Sequence, residues 1–256
     1  LTPVPKAGAG SAITGSVEFD GTGDYLVPTG SDFGLSSSDD FTLETWIHAT
    51  SFDNSSSYSE VLRQGTNNAG SDGMYFVANS AGTVELRLSG TTKTSTNKMT
   101  AGSWNHIAVC RASGTVYISV NGLTENFGSV TNSSTTSAFR VGANFESNQF
   151  FEGHLSNVRF VKGTALYTDD FIPPTRELKK VPGTVLLCCQ DPDNPLTEAT
   201  GKTITGFGNL NQSYGTDLVT NGQFTADSDW TKGTQWTISG GSASITDSPD
   251  RGSDSL

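Results

Sequence analysis

The chain has 256 residues, 34% of them apolar and 16% charged, and its 15 Lys and Arg against 26 Asp and Glu leave a net charge of −11. That balance excludes a protein that grips nucleic-acid phosphates, which needs clustered Lys and Arg, and no window reaches the ~18 consecutive apolar residues of a membrane span. Ser and Thr fill about a quarter of the chain, beside 29 Gly, 14 Phe and 4 Trp, a stock that favours strands and turns over helices and still supplies a core.

Residues 1–14, LTPVPKAGAGSAIT, are rich in Pro, Gly and Ala and show no periodicity, so they read as a linker or tether. Strands are expected at Ser16–Asp20 and Tyr25–Val27, with Gly21, Gly23 and Asp24 turning between them. Residues 41–49, FTLETWIHA, alternate cleanly and carry large side chains on both faces. That pattern fits a strand inside a sheet covered on both sides. Shorter strands follow at Val61–Arg63, Met74–Val77 and Val84–Leu88. The clearest local signal is Trp104–Arg111, a turn at Ala112–Gly114, then Thr115–Val120 and Asn121-Gly122. Asn-Gly is the strongest short hairpin signal because both turn positions take positive φ. Asn121 and Gly122 are therefore structural, and three consecutive antiparallel strands are implied.

A further strand is read at Phe139–Gly142, and a buried-looking stretch at Phe151–Gly163. Residues 164–180 read as irregular, with a short helical turn at Arg176–Lys180. Val185–Cys189 is a fully apolar strand. Short strands at intervals of about ten residues with turn residues between them indicate an antiparallel sandwich. After Gln190 the polar, Pro-containing run 191–217 reads as a connector. Residues 218–256 restart a β pattern too short to hold its own core. Cys110, Cys188 and Cys189 make no disulfide framework. They read as small buried hydrophobes, with a Cys110 bridge to Cys188 or Cys189 as the alternative.

The order of these motifs suggests a family. Ser16–Gly21, Asp24–Leu26, Phe41–Ile47, Trp104–Val109 and Gly114–Gly122 together resemble the laminin-G-like, concanavalin A-like sandwiches over residues 15–190. The stretch Leu155–Tyr167, with Phe171–Pro174 and Leu186–Gln190, resembles the version found in virion proteins of marine tailed bacteriophages, including those infecting cyanobacteria. Residues 218–256 resemble the opening of a carbohydrate-binding jelly roll. The resemblance implies an all-β fold: a two-sheet antiparallel β-sandwich of the concanavalin A-like jelly-roll type, with about six or seven strands per sheet.

Glycan-cleaving relatives place paired carboxylates on one strand, and no Glu-x-Asp-x-Glu run exists here. Glu44 and Glu152 stand alone, so an enzyme is not expected. Calcium is the one cofactor the resemblance brings forward, since relatives bind it through loop oxygens. Calcium takes six to eight such ligands, and Asp20, Asp24, Asp39, Asp53, Asn54 and Asp72 are the candidates near turns. Trp230 and Trp236, with Tyr58 and Tyr75, are the aromatic candidates for stacking on sugar rings. Trp46 and Trp104 are expected in the core. The expected role is a non-enzymatic protein on a virion exterior, as capsid decoration or part of a tail fibre or appendage. Its partners would be other virion proteins, host-surface polysaccharide and further copies of itself in a homo-oligomer. Nucleic acid and a membrane span are not expected. The alternative is a lectin module of a secreted or cell-surface adhesin.

Overall fold

A computed structural model describes residues 15–52, 58–65, 73–132, 138–210, 236–239 and 242–245. The linker 1–14 lies outside them. The chain divides into two units, Leu1–Asn211 and Gln212–Leu256.

Fourteen strands are described in the first unit. They begin with β1 (Val17–Asp20), β2 (Tyr25–Pro28), β3 (Phe41–Ala49), β4 (Tyr58–Gly65), β5 (Gly73–Asn79), β6 (Thr83–Leu88) and β7 (Thr91–Lys98). They continue with β8 (Asn105–Ala112), β9 (Thr115–Val120), β10 (Leu123–Ser129), β11 (Phe139–Val141), β12 (Glu152–Lys162), β13 (Thr184–Cys188) and β14 (Ile204–Phe207). The first sheet has the order β1-β12-β3-β8-β9-β10, with β13 also on β12. The second has the order β14-β2-β11-β4-β5-β6-β7. All these pairings are antiparallel. The fold is thus all-β, two seven-stranded sheets forming a sandwich.

The period-2 pattern explains the core. On β3, Phe41, Leu43 and Ile47 point inward and meet Phe76, Leu86 and Phe139 from the second sheet within one buried cluster. Phe33 stacks on Phe139 at 4.9 Å, and Phe139 on Phe160 at 5.8 Å. Each fully buried ring contributes about 1.5–3 kcal/mol. Cys110, Cys188 and Cys189 are free and buried.

The hairpin after β9 has the expected geometry, with φ of 52° at Asn121 and 83° at Gly122. Asn121 Oδ1 also accepts the His106 backbone N–H at 2.9 Å. A Cβ on Gly122 would lie 2.0 Å from the Phe171 carbonyl oxygen, so backbone from residues 164–181 comes directly against this turn.

That segment is a strap across the outer face of the first sheet. Leu166 N–H donates to Thr42 Oγ1 at 2.8 Å, Phe171 N–H to the Gly122 carbonyl at 2.9 Å, and Leu178 N–H to Asn157 Oδ1 at 2.8 Å. The helical turn expected at Arg176–Lys180 does not form. Leu178 is buried and its N–H goes to Asn157, so the chain stays extended there.

Three further differences follow from pairing. Trp46 and Trp104 are not in the core, because Trp46 pairs with His106 and shares their outward face, and Trp104 is 44% exposed. The run 191–217 is not a connector throughout, because β14 pairs with β2 and completes the second sheet. β7 is polar throughout, with Ser95 alone buried, so it offered no apolar alternation to read. In the second unit, β15 (Trp236–Ser239) and β16 (Ser242–Ile245) form an antiparallel hairpin.

Candidate functional site

The outer face of the second sheet carries the candidate site. Arg140, Arg63, Tyr75 and Arg87 are consecutive cross-strand partners on β11, β4, β5 and β6. Directly opposed residues point to one face, so these four form a row. Glu60, Val77 and Glu85 form a second row on β4, β5 and β6. Glu60, Arg63, Tyr75, Val77 and Arg87 floor a pocket of about 280 Å³. Asn144, Glu146, Asn148 and Gln149 form its wall.

The wall is braced by its own amides and by Arg140. Asn144 Nδ2 donates to Asn148 Oδ1 at 2.6 Å and to Gln149 Oε1 at 3.2 Å. Arg140 Nη1 donates to the Asn144 carbonyl at 2.6 Å and to Ser147 Oγ at 3.0 Å. The Arg140 guanidinium lies over the Tyr25 ring at 4.5 Å, and Tyr25 stacks on the partly exposed Phe207 at 4.4 Å. Cation–π contacts of this kind contribute about 0.5–1 kcal/mol at exposed sites.

The floor is ionic. Arg63 grips Glu60 through Nε at 2.8 Å and Nη2 at 3.0 Å, and its guanidinium covers one face of Tyr75 at 4.7 Å. Tyr75 Oη donates to Glu85 at 2.9 Å. Burial pushes the Glu60 carboxyl up to about 7, with Arg63 pulling down and Glu85 adding to the rise. Burial and Glu85 raise the Tyr75 hydroxyl to about 12, keeping it a neutral donor. The pocket thus presents amides, guanidinium groups and carboxyl groups around one aromatic residue. Such groups hydrogen-bond to vicinal hydroxyls.

The polar network beneath the strap has a different character. Glu44 is fully buried, accepting Arg159 Nε at 2.9 Å and Tyr167 Oη at 3.0 Å, and it lies 3.2 Å from His106 Nε2. Burial would raise its carboxyl, but His106 and Arg159 hold it below the ordinary range. The motif residues 155–160 do related work: Asn157 N–H donates to the Cys189 carbonyl, and Asn157 Oδ1 accepts Gln190 Nε2 at 2.7 Å.

The sequence candidates fall in separate places. Tyr75 is on the pocket floor. Tyr58 and Trp236 begin strands, but their side chains, like all of Trp230, lie outside the described residues. Asp53, Asn54 and Asp72 lie outside them too. Asp24 is buried and accepts the backbone N–H groups of Asp20 at 3.0 Å and Asn209 at 2.9 Å, clamping two turns together. Burial raises its carboxyl. Asp20 accepts Thr22 N–H at 2.8 Å. Asp39 accepts Ser36 N–H at 2.8 Å, in a corner beside Arg111 and Lys162. Among the described residues no three His, Cys, Asp or Glu side chains converge on a metal-sized site.

The model of one family matches residues 20–168, more than half of the chain. The chain belongs to the concanavalin A-like lectin/glucanases superfamily. Among solved structures of this fold, a Bacteroides ovatus protein named as a candidate carbohydrate binding protein aligns with TM-score 0.57 and 20% identity. The alignment covers 77% of this chain and 59% of that one. Domains LG4-5 of the mouse laminin alpha1 chain align with TM-score 0.45 and 16% identity, over 67% of this chain and 48% of theirs. No curated protein sequence matches. Within the superfamily sandwich, Glu60 and Glu85 escaped the sequence reading because they stand on different strands, and a search for carboxylates along one strand passes over them.

Proposed function

We propose that this chain is a non-catalytic glycan-binding module that works outside the cell, and that the pocket on the second sheet is its sugar site. The observation that carries this is the polar pocket of about 280 Å³, walled by Asn144, Asn148 and Gln149, on a lectin-superfamily sandwich. A non-catalytic role is supported by the state of the two floor carboxyls. Glu60 is held by Arg63 and Glu85 by Tyr75. The test is a glycan array followed by titration calorimetry on the hits. Specific binding that falls about tenfold in a double variant, Asn148→Ala with Gln149→Ala, supports the site. Binding unchanged in that variant places the sugar elsewhere. Release of reducing ends from any bound polysaccharide overturns the non-catalytic reading.

The finer placement is the exterior of a bacteriophage particle, in a capsid decoration or tail appendage, among other virion proteins and facing host polysaccharide. Its support is the sequence resemblance over Leu155–Tyr167 and Leu186–Gln190. Many copies on one particle would turn weak sugar contacts into avidity. Labelling intact particles with an antibody to the chain tests the placement. Labelling only after disruption overturns it.

A further inference from the structure

The first sheet's outer face holds a second group of rings beside the strap. His154, His48 and Trp104 lie side by side across β12, β3 and the start of β8, because His154 pairs with His48 and Asn105 with Ile47. The His48 and Trp104 rings are 5.5 Å apart, His48 and His154 5.9 Å, and Trp104 and His154 6.4 Å. Trp46 stands two residues before His48 on the same face and meets His106 at 5.2 Å. The strap's rings, Tyr167 and Phe171, reach His106. Among the described residues they make no ring contact with Trp104, His48 or His154.

The exposed indole points to a ligand there: Trp104 keeps 44% of its surface exposed, and the His48 and His154 rings flank it at 5.5 and 6.4 Å. We infer that Trp104, His48 and His154 form a sugar-contact site, in which a neutral pyranose lays one C–H face on the Trp104 indole and turns hydroxyls toward the flanking imidazoles. It rests on the glycan-binding reading for its ligand class, and not on the pocket of the second sheet.

Other occupants fit less well. The exposed part of one Trp is on the order of 100 Å², far below the ~800 Å² per partner of a stable protein interface. A transition metal would find two imidazoles, and among the described residues no third His, Cys, Asp or Glu joins them.

The test is an NMR titration of the whole chain, ¹⁵N-labelled, with cellotriose, maltotriose and xylotriose, each to about 10 mM. The indole N–H signals of Trp46 and Trp104 are expected to move together and saturate. Trp104→Ala should weaken the response at Trp46 about tenfold, and Trp104→Phe should restore part of it. The double variant Asn148→Ala, Gln149→Ala should leave it intact. Signals that move only around the second-sheet pocket overturn this site and keep the pocket. An equal response at Trp46 in Trp104→Ala also overturns it. No movement anywhere, with an empty glycan array, removes both.

Discussion

The two outer faces of the sandwich use the same chemistry to opposite ends. Both carry a buried glutamate gripped by an arginine, Glu44 with Arg159 and Glu60 with Arg63. Under the strap, His106, Arg159 and Tyr167 converge on Glu44 and its carboxyl is held down. On the second sheet, Glu60 has one arginine and a second carboxyl nearby, and burial wins. Two partners, His106 and Arg159, hold Glu44 down, where Arg63 alone leaves Glu60 raised.

The largest expected effect is on the covered face. Glu44→Ala leaves Arg159 buried without its carboxylate and should lower unfolding stability by about 3–5 kcal/mol in denaturant titrations. A loss below about 1 kcal/mol would mean that the strap, and not the ion pair, holds this face. Next comes Gly122→Ala, which meets the Phe171 carbonyl at a positive φ and should cost about 2 kcal/mol or more. Release of the strap should show as faster hydrogen exchange at the Leu166 and Phe171 amides.

The third effect separates the faces by pH. Glu60 titrates at about 7 in the folded chain and near the ordinary carboxylate value of about 4.3 when unfolded. Between those values the folded state binds more protons, so stability falls as pH rises, by roughly 3–4 kcal/mol. Glu44 has the opposite sign: its contribution is present above the ordinary carboxylate range and is lost as pH falls through its lowered folded value. Glu60→Gln should remove the loss between about pH 4.5 and 7, measured as the melting temperature across that window. Parallel profiles for variant and parent would refute the assignment. The smallest effect is on stability at the ligand-facing groups. Trp104→Ala, at a position 44% exposed, should cost about 1 kcal/mol, and the Asn148→Ala, Gln149→Ala pair about 1–3 kcal/mol, because it strips both acceptors from the buried Asn144 amide.

Much of this was legible in the residues. Alternation in FTLETWIHA placed Phe41, Leu43 and Ile47 on one face and Glu44, Trp46 and His48 on the other, and Asn121-Gly122 marked its turn. The pocket was less legible, because its rows run across strands. Glu60 and Glu85 become neighbours only through Val77 on β5, and a register shift between Glu60 and Leu62 breaks the alternation on β4. Trp104 illustrates the limit of hydrophobicity as a guide. Its face is set by the pairing of β8 with β3, and pairing is a property of two distant segments.

That distance has a consequence for how the protein is made. Gly15 meets Ser156 across 141 residues, and Thr29 meets Thr203 across 174. β3 has β8 on one side, yet its other edge waits for β12. At synthesis rates of about 5–20 residues per second, the earliest strands spend roughly ten seconds or more without their final neighbours. Contacts of such long range also slow folding to milliseconds or longer. During that interval the nascent chain carries open β-edges and a Phe-rich face, with its net charge of −11 as the force that keeps copies apart. Crowded ribosomes and low temperature should therefore govern the yield of native protein more than its final stability does.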